Sequence, residues 1–375
     1  MINTDNDLYY LKRTLQLARQ GLYSTMPNPR VGCVIVKDNH IISSGWHKYA
    51  GEAHAEIVAL NKINYQAHGA TAYISLEPCC HSGKTPPCTN ALIRSGIKRV
   101  VIAANDPNPL VSGKSIATLK KANIEVISDL LPKQAQKLNP GFYKRMMQHM
   151  PYVRCKLATS LDGRIAAMDN TSKWLSGTTS RQDVHKWRAQ SCAIITGINT
   201  VLADDPALTV RVNELKPHKS WAKHKQPKRI ILDSNLKIPL SAKILTSDKV
   251  IIVTTDISSD TNYQHKKQIL VEQGHELIEL DATDKGRIPL KKLLTLLATR
   301  QYNEILIESG GTLAGYALEQ QLIDELIIYI TPKLLGHLAK PMLHLPIHSM
   351  TDIVQLGQLN TKKFDPDLRI TVKTL

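Results

Sequence analysis

The 375-residue sequence predicts an α/β fold in two domains, and three observations predict it. The chain is too long for one ordinary hydrophobic core. Short apolar runs of strand length alternate with segments whose apolar residues recur at helical spacing, the pattern of layered α/β structure. A helical stretch interrupted near Asn139-Pro140-Gly141 then gives way to a fresh strand-like start at Pro151-Tyr152-Val153. The expected domains are residues 1–147 and 148–375.

The elements follow in order. Leu8, Leu11, Leu15, Leu17 and Ala18 mark a helix that stops at Gly21. Val31 to Val36 reads as a strand, Lys37-Asp38-Asn39-His40 as a turn, and residues 41–45 as the returning strand of a hairpin. Residues 54–62 read as a helix and 72–76 as a buried strand, and a further helix runs from Cys88 to Gly96. A strand at 99–103 leads to Asp106-Pro107-Asn108-Pro109, then a helix near 114–122, a strand at 124–127 and a connecting helix over 130–150. In the second domain strands are expected at 153–158, 193–196, 229–232, 249–254, 304–308 and 324–330, with helices at 179–190, 263–273 and 290–300. There is no internal repeat and no low-complexity segment.

Composition narrows the class. Hydrophobic residues at 42% supply two cores. No apolar run approaches the ~20 residues that span a bilayer, so no membrane association is expected. The polar start Met1-Ile2-Asn3-Thr4-Asp5-Asn6-Asp7 is not a signal peptide, so a cytoplasmic protein is expected. Of six cysteines, three fall within residues 79–88, while Cys33, Cys155 and Cys192 are scattered in apolar segments. That distribution fits one metal cluster plus buried thiols, not a disulfide framework. A net charge of +16 favours anionic partners. The densest basic stretch, Lys216 to Lys228, reads as a loop, and aromatics are only 5% with no RNA-binding signature, so phosphorylated small molecules fit better than nucleic acid.

The chemistry concentrates in His54-Ala55-Glu56, Pro78-Cys79 and Pro87-Cys88. One His and two Cys bind zinc and leave a fourth tetrahedral position open for water. Glu56, two residues after the His, is placed to move protons on and off that water. Hydrolytic loss of ammonia from a ring carbon is the reaction this set supports. The usual nucleobase-deaminase spacing is Pro-Cys-x-x-Cys. Here eight residues separate Cys79 from Cys88, which leaves Cys80 and His81 as rival ligands; Cys88 is preferred because it meets the start of a helix.

That spacing carries a resemblance. Glu77-Pro78-Cys79-Cys80-His81-Ser82-Gly83-Lys84-Thr85-Pro86-Pro87-Cys88 resembles the deaminase half of the bifunctional pyrimidine deaminase/reductase family of riboflavin biosynthesis. Pro27-Asn28-Pro29, Gly45-Trp46-His47 and Asp106-Pro107-Asn108-Pro109 agree with it. The resemblance implies a cytidine-deaminase-like three-layer domain in which Asn28, His47, Lys84, Asp106 and Asn108 bind a pyrimidine phosphoribosyl substrate, with Lys84 suited to the phosphate. Two departures are minor: Val58 stands where many relatives carry a second His, and Ser115 replaces a frequent Gly, a change expected to touch no ligand.

In the second half there is no G-x-G-x-x-G and no P-loop. The strand Glu304 to Glu308 runs into Ser309-Gly310-Gly311-Thr312 and a helix, which brings backbone N–H groups near a phosphate. Lys156 to Ala166, Lys173-Trp174-Leu175-Ser176-Gly177, Val184-His185-x-x-Arg188, Thr200 to Arg211, Leu232-Asp233-Ser234 and Pro332-Lys333-Leu334-Leu335-Gly336 resemble the reductase half of the same family, a domain similar to dihydrofolate reductase. The resemblance implies NADPH against Ala158, Trp174, Thr200, Asp204, Ser234 and the turn Gly310, Gly311, Thr312, Leu313, Ala314, Gly315 and Tyr316. It implies substrate against Ser172, Arg188, Leu208, Arg211 and Glu308. The two arginines suit a phosphate, and Lys156 and Asp204 are placed to orient the ribose.

The expectation is therefore an enzyme using Zn2+ and NADPH on a phosphorylated pyrimidine, with a homodimer as the default assembly. A tRNA or single-stranded-DNA deaminase with an accessory domain is the main alternative, and its Pro-Cys-x-x-Cys spacing is not met. A non-catalytic zinc-stabilised module is the other, and the open ligand position and Glu56 speak against it.

Overall fold

The computed structural model describes residues 4–81, 86–211, 226–255 and 260–375. The chain divides between Met150 and Pro151 into two compact units.

In the first unit α1 (Thr4–Ala18) leads into β1 (Gly32–Lys37) and β2 (His40–Trp46). Then come α2 (Ala55–Asn61), β3 (Thr71–Ile74), α3 (Cys88–Arg94), β4 (Arg99–Ile102), α4 (Lys114–Lys121) and β5 (Glu125–Ile127). Helices α5 (Pro132–Leu138) and α6 (Pro140–Gln148) close it. The sheet order is β2-β1-β3-β4-β5, with β1 antiparallel to both neighbours and β3, β4 and β5 parallel. Alternation along β1 builds the layers, because successive strand residues face opposite sides. Cys33 and Ile35 join Ala59 and Leu60 of α2 and Leu92 of α3 in one core, while Val34 and Val36 join Leu11 and Leu15 of α1 in the other. Both faces are covered, giving three layers. The stretch at 130–150 is two helices because the Asn139 side chain leaves the helix to pair with the Arg30 backbone. Its Oδ1 accepts from Arg30 N at 2.8 Å and its Nδ2 donates to Arg30 O at 3.0 Å.

The second unit opens with β6 (Tyr152–Ser160), β7 (Arg164–Ala166), α7 (Thr178–Ala189), β8 (Ala193–Gly197) and α8 (Ile198–Asp204). It continues through β9 (Lys228–Leu232), α9 (Lys243–Thr246), β10 (Ile251–Thr254), α10 (Thr261–Glu272), β11 (Glu276–Glu279) and α11 (Leu290–Thr299). Next are β12 (Glu304–Glu308), α12 (Gly311–Glu319), β13 (Glu325–Thr331), β14 (Lys340–Pro341), β15 (Asn360–Phe364) and β16 (Asp367–Lys373). Nine strands form one sheet in the order β11-β10-β9-β8-β12-β6-β13-β16-β15, parallel from β11 to β13 and antiparallel beyond. The six central strands match the expected runs, because strands buried on both faces read as continuous apolar stretches. Edge strands β11 and β15 lack that signal: β15 is Asn360-Thr361-Lys362-Lys363-Phe364, exposed along most of its length. Polar and charged residues are how an edge avoids further pairing. Among the described residues no helix is long and apolar enough to cross a membrane.

Candidate active sites

In the first unit, His54 immediately precedes α2, Glu56 lies in its first turn, Cys79 follows β3 by a short segment, and Cys88 opens α3. The fold brings His54 Nδ1 to 3.5 Å from Cys79 Sγ and 3.3 Å from Cys88 Sγ. These three ligand atoms lie within 4.8 Å of one another, the one such metal-ligand group among the described residues. Cys80 turns away, with its Sγ 3.8 Å from Leu110 O, and neither it nor His81 joins the group.

The donor set fits zinc on electrostatic grounds. A hydrogen bond from Cys88, opposed by burial and helped by His54, pulls Cys79 down to about 4; the same bond and burial push Cys88 well up. Two thiolates with ligand atoms within 4.8 Å repel each other, and a bound cation relieves that repulsion. Two thiolates and an imidazole are soft-to-borderline donors suited to zinc, with one tetrahedral position to spare. Beside them Glu56 is buried, and its Oε2 has no hydrogen-bond partner. Burial, opposed in part by His54, holds its carboxyl above the ordinary range. A desolvated carboxyl with an unpartnered oxygen next to an open ligand position is equipped to take and return a proton.

His47 and Asn28 stand next to this group. The His47 ring is edge-on to His54 at 5.2 Å between centroids. Its Nδ1 lies 3.1 Å from Ala53 O and its Nε2 3.1 Å from Asn28 Nδ2. Nδ1 therefore donates and Nε2 accepts, the neutral tautomer, in keeping with the lowering of its pKa by burial. Asp106 and Asn108 sit on the loop after β4, where Asn108 N donates to Asp106 Oδ1 at 2.8 Å. Burial, opposed by that N–H and reinforced by the charges of Glu77 and Cys79, pushes Asp106 up to about 7. Lys84 and most of the basic stretch from Lys216 lie outside the described residues. Glu77 carried no assignment at the sequence level, yet it is buried and accepts from Asp106 N, Gly113 N and Ser115 Oγ. Ser115 thus bonds to Glu77, which is not one of the proposed ligands.

The second unit holds a cavity of about 1370 Å³. Single small-ligand pockets run to roughly 300–1000 Å³, so this one has room for a dinucleotide and a second ligand together. Every residue expected on the NADPH or substrate side lines it except Ala314 and Gly315. Ala314 is fully buried, and Gly315 lies against a neighbouring loop, where an added Cβ would fall 2.1 Å from His344 O.

At the cavity floor Lys156 on β6 is in register with Glu308 on β12. Arg188 of α7 donates to Glu308 Oε1 from Nε at 2.6 Å and to Oε2 from Nη2 at 2.9 Å, and its Nη1 donates to Thr209 O at 3.0 Å. Burial pushes Glu308 up, but Arg188, with Lys156 and His185, more than reverses it and keeps the carboxyl ionised below its usual range. Burial likewise outweighs Glu308 at Lys156 and lowers the ammonium's pKa. Arg211 is held through its backbone, whose N–H donates to His185 Nδ1 at 3.1 Å. At the rim Ser172 Oγ donates to Asp204 Oδ1 at 3.1 Å, and Arg181 stacks 4.7 Å over the exposed Trp174 ring. Sequence reasoning missed the cations Arg181, Lys237, Lys243, Arg287 and Lys340, all lining the cavity. They fall at scattered positions with no common spacing, so only the fold collects them. With the Gly310-Gly311 entry to α12 they suit a ligand as rich in phosphate as NADPH.

Two family models match the chain: the cytidine and deoxycytidylate deaminase zinc-binding region over residues 4–104, and the RibD C-terminal domain over residues 151–370. The riboflavin biosynthesis protein RibD of Haemophilus influenzae is 42% identical, covering 98% of this chain and 97% of its own length. That of Escherichia coli is also 42% identical, over 96% of this chain and 98% of its own. A solved Acinetobacter baumannii RibD superposes with a TM-score of 0.90 at 43% identity, covering 99% of each chain. A Thermotoga maritima diaminohydroxyphosphoribosylaminopyrimidine deaminase/5-amino-6-(5-phosphoribosylamino)uracil reductase gives 0.84 at 29%, again over 99% of each. A metal-ligand set beside a buried acid in one unit, a dinucleotide-sized cavity in the other, and full-length likeness to these proteins agree: the chain belongs to the RibD family of bifunctional deaminase/reductase enzymes of riboflavin biosynthesis.

Proposed function

We propose that the first unit hydrolytically removes the 2-amino group of 2,5-diamino-6-ribosylamino-4(3H)-pyrimidinone 5′-phosphate. The second unit then reduces the ribosyl group of 5-amino-6-(5-phosphoribosylamino)uracil to ribityl with NADPH. The observation that carries this reading is the convergence of His54, Cys79 and Cys88 beside the buried carboxyl of Glu56, whose Oε2 has no hydrogen-bond partner.

His54, Cys79 and Cys88 would hold zinc, which when bound supplies Lewis acidity that brings the pKa of a coordinated water towards neutrality. Glu56 would take a proton from the attacking water and deliver it to the departing amine. Asn28 and His47 bound the site on one side, and Asp106 and Asn108 present hydrogen-bonding groups to the pyrimidine edge; Lys84 is assigned to the phosphate. In the second unit NADPH supplies the hydride. Gly310 to Leu313 with Tyr316, Ala158, Trp174, Thr200, Asp204 and Ser234 hold the dinucleotide. Ser172, Arg188, Leu208, Arg211 and Glu308 hold the phosphorylated product of the first site, and Lys156 is fixed against Glu308 where it orients the ribose. The partner is thus a small phosphorylated pyrimidine and not nucleic acid, in a cytoplasmic enzyme that assembles as a homodimer.

Purified protein given zinc, NADPH and the diaminopyrimidine phosphate is expected to release ammonia and then oxidise NADPH. Glu56→Gln should lose deamination by about 10²–10⁴-fold while still reducing supplied deaminated intermediate. No NADPH consumption by the wild type, or loss of both activities in a folded Glu56→Gln protein, would overturn the assignment.

A further inference from the structure

Glu77 lies three residues beyond β3 and two before Cys79, and is 3% exposed. Its carboxylate is bonded by uncharged donors drawn from both ends of one loop. Oε2 accepts from Asp106 N and Gly113 N, each at 3.2 Å, and Oε1 accepts from Ser115 Oγ at 2.5 Å. The intervening loop closes on itself: Asn108 N donates to Asp106 Oδ1 at 2.8 Å, Leu110 N to Asn108 Oδ1 at 3.1 Å, and Val111 N to Asn108 O at 2.8 Å. The loop is therefore a small self-bonded unit held by one buried side chain. Ser115, at the start of α4, is fully buried.

We infer that Glu77 and Ser115 form a positioning clamp for pyrimidine recognition in the deaminase unit. Glu77 fixes the loop bearing Asp106 and Asn108 against the segment bearing Cys79, and the Ser115 hydroxyl completes the clamp. The inference rests on the reading that Asp106 and Asn108 contact the pyrimidine. Neither clamp residue touches the reacting atoms. The two Glu77 oxygens are not equivalent, because Oε2 faces two N–H groups that can only donate, whereas Oε1 faces a hydroxyl that can also accept. In Glu77→Gln the amide oxygen can take the place of Oε2 while the amide nitrogen donates to Ser115 Oγ. That exchange requires a hydroxyl at 115. In Ser115→Ala the Oε1 position is left buried without its donor, which is unfavourable, and the loop loosens.

The test is steady-state deamination by the full-length zinc-loaded enzyme. Wild type, Ser115→Ala, Glu77→Gln, the double variant and Asn108→Ala are compared, with zinc per chain and reductase turnover measured on the same preparations. In Ser115→Ala the KM for the pyrimidine phosphate should rise about 10-fold at unchanged kcat, the loss of one hydrogen bond to a charged group. Glu77→Gln should stay within about 2-fold of wild type, because the contacts to Asp106 N, Gly113 N and Ser115 Oγ can all be kept with donor and acceptor exchanged at the hydroxyl. The double variant should be at least as impaired as Ser115→Ala, with zinc content and reductase kinetics unchanged throughout. Unchanged KM in Ser115→Ala would overturn the clamp. So would an equal defect in Glu77→Gln, or a fall in kcat that tracks lost zinc, which would assign the pair to the metal site instead. Asn108→Ala separates the two readings: an unchanged KM there removes the loop's substrate role, whereas a raised KM there with Ser115→Ala unaffected sinks the clamp alone.

Discussion

Asp106 and Glu308 are both buried acids, and their surroundings push them in opposite directions. Glu308 receives two hydrogen bonds from one guanidinium and keeps its charge. Asp106 has one backbone donor and two anionic neighbours, so burial dominates and lifts it to about 7. The sign of the pH effect follows. An unfolded Asp ionises near its ordinary value, while folded Asp106 holds its proton to about pH 7, so its contribution to stability is full below the unfolded value and is lost as pH rises through the folded one. Asp106→Asn cannot ionise. It should therefore gain stability over wild type as pH climbs from 4 to 7, by up to ~4 kcal/mol for a shift of about three units, and differ little at pH 4. Urea unfolding of the deaminase unit at pH 4.5 and pH 8 checks this; an equal difference at both pH values would contradict it. His47 shows the same logic for a base: buried, neutral, and oriented by Ala53 O and Asn28 so that it sits against His54 without competing for charge.

At the scale of elements, α7 and α12 shape the reductase cavity by different means. Helix α7 reaches the 208–211 segment twice, through His185 to Arg211 N and through Arg188 to Thr209 O, and the same Arg188 fixes Glu308 at the end of β12. Helix α12 begins at the cavity and is set by close backbone contact: a Cβ at Gly315 would meet His344 O at 2.1 Å, and one at Gly311 would meet Met342 O at 2.8 Å. Gly315→Ala must push α12 off that loop, and overpacking of this kind destabilises by about 1–3 kcal/mol. The reductase transition should fall in thermal unfolding, and fluorescence titration should show weaker NADPH binding, while deamination is untouched. A wild-type melting profile for Gly315→Ala would show that the loop yields without cost. The family resemblance implied one NADPH-binding turn for the glycines at 310, 311 and 315; the structure divides them, with Gly310 and Gly311 at the cavity and Gly315 in helix–loop packing.

For the whole molecule, the metal-ligand group found among the described residues lies in the first unit and the large cavity in the second. Chelation of the dialysed enzyme is expected to abolish ammonia release while leaving reduction of supplied 5-amino-6-(5-phosphoribosylamino)uracil within about 2-fold, with zinc alone restoring the first, since ligand deprotonation and metal loading act only on the His54 cluster. Parallel loss of both rates would tie the metal to the second unit. The alternation of buried strands and amphipathic helices, the metal ligands and the acid beside them were legible in the sequence because each is local. His54 and Glu56 share a helix start, and the cysteines meet the ends of a strand and a helix. The polar edge strands were not legible, since an exposed edge carries no apolar period.

Consecutive residues alone carried the α/β class, the zinc-type donor pattern and the family likeness, because periodicity and motif spacing are local properties of the chain. Only the tertiary structure decided which distant groups meet. It chose Cys88 over Cys80 by placing it 3.3 Å from His54, and it hung the loop of residues 106–115 on Glu77 through donors 29 to 38 residues away. It also gathered Arg181, Lys237, Lys243, Arg287 and Lys340 around one cavity. Hydrogen bonds and charges act through space over a few ångströms, and chain separation does not reveal which groups the fold brings within that reach.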